Sequence, residues 1–167
     1  MIVTILRHGQ AGSAPMDFER TLTSKGRDNI SLGARKFCES LLNRNLPEPS
    51  LILYSQWLRT TQTAQIVSSR LPHASLESTE SLAPGATQSD VNTALSSILA
   101  RDKIVEHVML VSHQPLVAEL ADYYLGYPNS VPGLSPGALF TIEIEVPAQD
   151  CAALLFWAAP PNYEVGR

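Results

Sequence analysis

Ile2-Val3-Thr4-Ile5-Leu6-Arg7-His8-Gly9 is an apolar run that ends abruptly in a guanidinium, an imidazole and a glycine. Short, apolar and β-branched, the run reads as a buried strand. Its polar end then falls where the strand leaves its sheet. A histidine beside a fixed positive charge is a starting point for phosphoryl-transfer chemistry. The tripeptide alone is common, so its weight depends on the polar groups that the rest of the chain brings to it.

A loop from Arg7 to Thr23 comes first, and loops of this length in small domains are often functional. Thr23 can cap a helix to about Leu42, with Ile30, Ala34, Phe37, Cys38 and Leu41 as its apolar stripe. Leu51 to Tyr54 is a second strand. A helix from about Trp57 to Leu71 follows, with Trp57, Ala64, Val67 and Leu71 on one face and Pro72 as its stop. Ala74 to Glu77 is a brief third strand. Ser89 or Thr87 can cap the next helix, which buries Val91, Ala94, Leu95, Ile98 and Leu99.

Val105 to Val111 is the next buried strand, and Pro115 suits the first turn of a helix that ends before Gly126. Residues 126–137 are loop. Phe140, Ile142, Ile144 and Val146 alternate with Thr141, Glu143 and Glu145, the pattern of a half-exposed strand. It pairs as a hairpin with Ala152 to Trp157, and the chain from Pro160 is irregular. Strands alternating with helices predict an α/β domain over residues 1–167. Its form is a three-layer α/β/α sandwich, a mostly parallel central sheet with an antiparallel C-terminal strand.

Composition narrows the function. The chain has 167 residues, 44% of them apolar and 17% charged, with net charge −4. That composition suits a folded domain, and with no basic cluster nucleic acid is excluded as a partner. No apolar run approaches the roughly 20 residues that span a membrane, and no signal-peptide pattern opens the chain. A cytoplasmic protein is the simplest expectation, with Cys38 and Cys151 as buried free thiols. No H-x-x-x-H, H-x-H or C-x-x-C spacing occurs, so neither metal nor other cofactor is expected. A monomer satisfies all of these readings, and the oligomeric state is left open.

In such sheets ligands sit beyond the carboxyl ends of the strands. Arg7-His8-Gly9, Ser55-Gln-Trp-Leu-Arg59 and Ser112-His113 each follow a strand. If the strands are neighbours, two histidines and two arginines converge. Arginines grip phosphate through forked, charge-assisted bonds, and a neutral imidazole attacks phosphorus directly. Nearby guanidiniums disfavour protonation of His8. Gly9 would let backbone approach closely and adopt unusual dihedrals. Ser112 either bonds phosphate or caps the following helix. His73 and His107 fall in no motif and read as structural.

This pattern resembles the histidine phosphatase, or phosphoglycerate mutase-like, superfamily. Arg7-His8-Gly9 is similar to its defining motif. Ser55-Gln-Trp-Leu-Arg59-Thr-Thr-Gln-Thr-Ala64 is similar to S-x-x-x-R-x-x-x-T-A, and Val111-Ser112-His113 to the third motif. Chain length, Arg20-Thr-Leu-Thr-Ser-Lys-Gly26 and His113-Gln-Pro-Leu-Val117 resemble the short SixA-type phosphohistidine phosphatases in particular. The resemblance implies that His8 is a transiently phosphorylated nucleophile. It implies that Arg7, Arg59 and His113 hold the phosphoryl group, with Arg20 at the pocket mouth.

Mutases and many small-molecule phosphatases of this superfamily carry a longer insert bearing an acidic proton donor. Here the corresponding stretch is short, and its one acid near the expected place, Glu80, reads as a solvated loop residue. General-acid help is worth about 10²–10⁴-fold to an alcohol leaving group, and phosphohistidine needs less of it. The expected substrate is therefore a protein-borne phosphohistidine, and the resemblance alone implies that it belongs to a histidine phosphotransfer domain of a phosphorelay or to a phosphotransferase-system protein. The alternatives are a phosphatase of a small phosphate monoester and a non-catalytic module that binds phosphoproteins.

Overall fold

A computed structural model describes residues 1–101 and 105–166, and in it the opening run becomes the central strand of a seven-stranded sheet. The strands are β1 (Ile2–Arg7), β2 (Leu51–Tyr54), β3 (Ser75–Ser78), β4 (His107–Ser112), β5 (Leu139–Ile144), β6 (Ala152–Ala158) and β7 (Val165–Gly166). The helices are α1 (Ser24–Asn43), α2 (Leu58–Ser68), α3 (Gln88–Leu99) and α4 (Leu116–Leu125). Strand order is β3-β2-β4-β1-β5-β6-β7. The first four run parallel, and β5, β6 and β7 alternate antiparallel beyond β1.

Period-2 alternation splits β1 between two cores. Val3 and Ile5 face α3 and α4 with Val91, Leu95, Leu120 and Tyr124. Leu6 faces α1 and α2 with Ile30, Phe37, Ala64 and Val67. The chain therefore winds two helices onto each side, the three-layer arrangement that βαβ units produce. Local signals set the helix ends. Thr23 Oγ1 accepts from Gly26 N at 2.9 Å, and Thr87 forms a capping box with Asp90. Gly126 ends α4 at φ +80.

One buried polar group ties the sheet's middle together. Thr4 Oγ1 lies 2.8 Å from both His107 Nε2 and Thr141 Oγ1, and His107 Nδ1 donates to Pro47 O at 2.7 Å. All three side chains are fully buried and hydrogen-bonded, as buried polar groups must be. His107 is structural.

Several expectations are corrected. The antiparallel part is three strands, because residues 165–166 pair with β6 where irregular chain was expected. Strand β5 is not half-exposed: it lies between β1 and β6, so Thr141 is buried and Glu143 alone in the strand is exposed. Helix α2 ends at Ser68; Leu71 is buried beyond it, and Trp57 precedes it, half-buried. Leu99, in the last turn of α3, is 44% exposed. Pro115 sits one residue before α4. Both thiols are free, but Cys151 is exposed on the loop before β6 and Cys38 only half-buried.

Candidate active site

Strand order makes neighbours of the polar ends. Strand β4 lies between β1 and β2, so the carboxyl ends of all three adjoin. Backbone bonds lock them: His8 N donates to Ser112 O at 3.0 Å, and Ser55 N to Val111 O at 3.2 Å. Arg7, His8, Arg59 and His113 are thereby brought together.

His8 is half-buried at the centre. Its Nδ1 lies 2.7 Å from Gly9 O, an atom that can only accept, so Nδ1 carries the proton. The lone pair is then on Nε2, where Arg59 Nε donates at 3.1 Å. Burial, followed by the Arg59, Arg7 and Arg20 charges, lowers the His8 pKa to about 4 against the opposing Gly9 bond. The imidazole is neutral at physiological pH, and the lone pair on its Nε2 meets the Arg59 guanidinium.

His113 packs against it, with ring centroids 5.0 Å apart and planes at 61°. It is 3% exposed, and burial first, then the His8 and Arg59 charges, lower its pKa to about 3. Nε2 lies 2.9 Å from Ser55 Oγ, a hydroxyl with no other acceptor in reach. Ser55 O–H thus donates to Nε2 and leaves the proton on Nδ1. That Nδ1 is buried with no partner among the described residues, and so is Arg7 Nε. An unmet buried donor costs about 1–3 kcal/mol, so two such atoms on the residues gathered around His8 suit an anionic ligand.

The arginines are held differently. Arg7 NH1 donates to Leu134 O at 2.8 Å. Arg59, 5% exposed, stacks its guanidinium over Trp57 at 4.6 Å and donates NH1 to Asp17 O at 2.7 Å and NH2 to Asp17 Oδ2 at 3.2 Å. Trp57 also meets the His113 ring edge, at 5.4 Å. Arg20 lies on the loop, donating to Gly12 O at 2.6 Å and to Asp17 Oδ1 at 3.0 Å. Its charge is among those that depress the His8 pKa.

Two site expectations change. The Ser112 side chain is fully buried and donates to Leu82 O at 2.8 Å, so its hydroxyl neither faces phosphate nor caps α4. Alternation along β4 turns it off the site, and its contribution is the backbone carbonyl under His8. Gly9 has no left-handed φ. It is small because a Cβ there would meet Ile30 Cγ1 at 2.8 Å and Gly26 O at 3.2 Å, while its N–H bonds Thr63 Oγ1 at 3.1 Å. Gly26 matches it from the helix side, where a Cβ would collide with Gln10 O. Close packing of the loop on α1 fixes the backbone that carries His8.

Sequence reasoning missed Asp17, Ser55 and Trp57 as site residues. Ser55 and Trp57 were inside the second motif, and Asp17 stands three residues before Arg20 on a 3₁₀ turn. Glu80 is exposed and accepts a hydrogen bond from Gln56 Nε2. Among the described residues, no group of three or more His, Cys, Asp or Glu is placed to hold a metal. No described helix is long and apolar enough to cross a membrane.

The chain matches no protein-family model and no curated protein sequence. It does superpose on the protein histidine phosphatase SixA in its tungstate complex, with TM-score 0.78 and 26% identity over 98% of this chain and 100% of that one. The chain has the histidine phosphatase fold. A protein described as the phosphohistidine phosphatase SixA of Agrobacterium tumefaciens gives TM-score 0.74 and 25% identity over 96% and 98% of the two chains. A mycobacterial glucosyl-3-phosphoglycerate phosphatase shares the histidine phosphatase fold at TM-score 0.68 and 16% identity, over 92% and 96%.

The depressed histidines have a stability consequence. His8, His107 and His113 are at about 4, about 4 and about 3 in the native state, and near 6.5 unfolded. The unfolded chain binds more protons below pH 6.5, so stability is complete above that value and declines as pH falls towards 4. Lowered carboxylates such as Asp17 act further down, below their ordinary range. Urea unfolding at pH 5 should show stability reduced by about 2 kcal/mol from fully buried His107 alone, relative to pH 7. Equal stability at the two pH values would show that these histidines are not buried neutral.

Proposed function

We propose that the protein is a phosphohistidine phosphatase that works through a covalent phospho-His8 intermediate. The observation that carries this is the His8 tautomer: Nδ1 is pinned to Gly9 O, and the lone pair on Nε2 meets Arg59 Nε, with the His113 ring 5.0 Å away. Arg59 Nε turns from His8 Nε2 to a phosphoryl oxygen, and the freed lone pair of Nε2 attacks phosphorus in line; the P–N bond of the substrate breaks, and its electron pair returns to the leaving imidazole, which takes a proton from water. Arg7, Arg59 and His113 stabilise the equatorial oxygens. Water then attacks phospho-His8, releasing phosphate and restoring the free imidazole.

The carboxylates support this leaving group. Asp17 touches Arg59, but hydrogen bonding to Arg20 and then the Arg59 charge keep its pKa low, so it is no proton donor. Glu80 is exposed and engaged by Gln56. A macromolecular substrate is supported by the rim. Met16 and Phe18, which flank Asp17, are 53% and 48% exposed, and Leu58 beside Arg59 is 36% exposed. Exposed apolar side chains around a polar pocket suit a protein partner.

The test presents a radiolabelled phosphohistidine domain and, separately, p-nitrophenyl phosphate, and traps the enzyme by rapid quench. Label that is acid-labile, alkali-stable and maps to His8, with faster turnover of phosphohistidine than of the ester, is expected. Faster turnover of the ester, lost on Glu80→Gln, would assign the protein to monoesters instead.

A further inference from the structure

We propose that Asp17 is an internal counter-anion: its carboxylate holds the place of the incoming phosphoryl group on Arg59 and sets the protein's affinity for phosphate. This rests on reading the site as a phosphoryl site. The carboxylate bridges two guanidiniums, with Oδ2 3.2 Å from Arg59 NH2 and Oδ1 3.0 Å from Arg20 NH1. Arg59 has its Nε on the lone pair of His8, so its outer nitrogens are the ones left to grip an anion at that nucleophile. Asp17 already meets both, with its main-chain carbonyl on NH1 and its carboxylate on NH2. A phosphoryl dianion drawing on the same guanidinium lies close to this carboxylate, and like charges at contact range repel strongly in a half-buried site.

The geometry lets Asp17 yield. Its side chain is 54% exposed, on a turn of three residues, whereas that of Arg59 is 6% exposed. Asp17 and Arg20 border an open surface depression with Ala11, Gly12, Ser13 and Pro15, which gives the carboxylate room to swing. Arg59 does not depend on the carboxylate for its place. It keeps the Asp17 main-chain carbonyl at 2.7 Å, the Trp57 ring at 4.6 Å and His8 Nε2 at 3.1 Å. Removing the charge therefore leaves the guanidinium aimed and its NH2 unblocked. It also frees Arg20 NH1, whose Nε stays fixed to Gly12 O at 2.6 Å.

The probe is inorganic phosphate, measured by titration calorimetry and as a product inhibitor of dephosphorylation. Asp17→Asn, which preserves shape, and Asp17→Ala, which removes any new donor, are expected to bind phosphate about tenfold more tightly than wild type. KM falls with the dissociation constant, and product inhibition strengthens by the same factor. A merely structural role would weaken binding, so the sign decides. Unchanged or weaker binding in both variants, with wild type binding normally, overturns the counter-anion and leaves the phosphoryl site standing. Absence of phosphate binding in all three proteins overturns the site reading and the proposal with it.

Discussion

His8→Ala is expected to lower kcat/KM for phosphohistidine by at least about 10⁴-fold, more than 5 kcal/mol of transition-state stabilisation. The size reflects the groups that remain. Arg7, Arg59 and His113 persist as an anion-binding cradle, and they can still orient a phosphoryl group for slow attack by water. No other side chain takes over the attack. His113 is the nearest imidazole, but its Nε2 is occupied by Ser55, its Nδ1 bears the proton, and it is 3% exposed. The variant should fold, because the His8 ring is half-buried and the backbone bond from His8 N to Ser112 O survives. Single-turnover kinetics with labelled phosphohistidine domain checks this, alongside a binding titration with phosphate. Loss of turnover with retained binding is the expected pair. A variant within tenfold of wild type would remove His8 from the nucleophile's role.

Arg59→Lys should cost about 10²–10³-fold in kcat/KM despite conserving charge. The guanidinium makes three bonds in fixed relative directions, to His8 Nε2, Asp17 O and Asp17 Oδ2. An ammonium on a flexible stem cannot reproduce that fork. Arg59 is 5% exposed, so a lysine there is also pushed towards its neutral form by burial. The loss should appear in kcat as well as KM, because the guanidinium fork that stabilises the phosphoryl oxygens in the transition state is lost. Stopped-flow kinetics gives the split, and the ¹⁵N shift of His8 Nε2 reports the missing donor independently. Activity within threefold of wild type would show that Arg59 supplies charge alone.

The cluster of Arg7, His8, Arg59 and His113 was legible because each member closes or follows a strand whose apolar run announces where it ends. The order of the strands was not written in any one of them. That β4 lies between β1 and β2 depends on pairing between residues far apart in the chain, Ile2 with His107 and Leu51 with Val108. Where burial departs from simple alternation, the departure comes from tertiary neighbours. Thr141 is buried because β6 covers β5 and Thr4 satisfies its hydroxyl. Residues 165–166 are strand because β6 offers them an edge. The Ser112 hydroxyl turned away because β4 is covered on both faces and Leu82 O was within reach. Asp17 was illegible for a different reason. An acid in a polar loop is ordinary until the fold brings Arg59 against it, and the close packing of Gly9 on Gly26 does that by holding the loop to α1.

The placement of β4 between two strands that precede it has a consequence for the newborn chain. His8 leaves the ribosome early and Arg59 soon after, yet they have no common geometry until His107–Ser112 inserts between their strands. The last member of the cluster, His113, follows that strand directly. Assembly of the centre is thus a long-range event, with the slow kinetics expected when distant segments must meet. A half-made chain carries His8 without its companions, and the cluster exists only when the middle of the sheet closes.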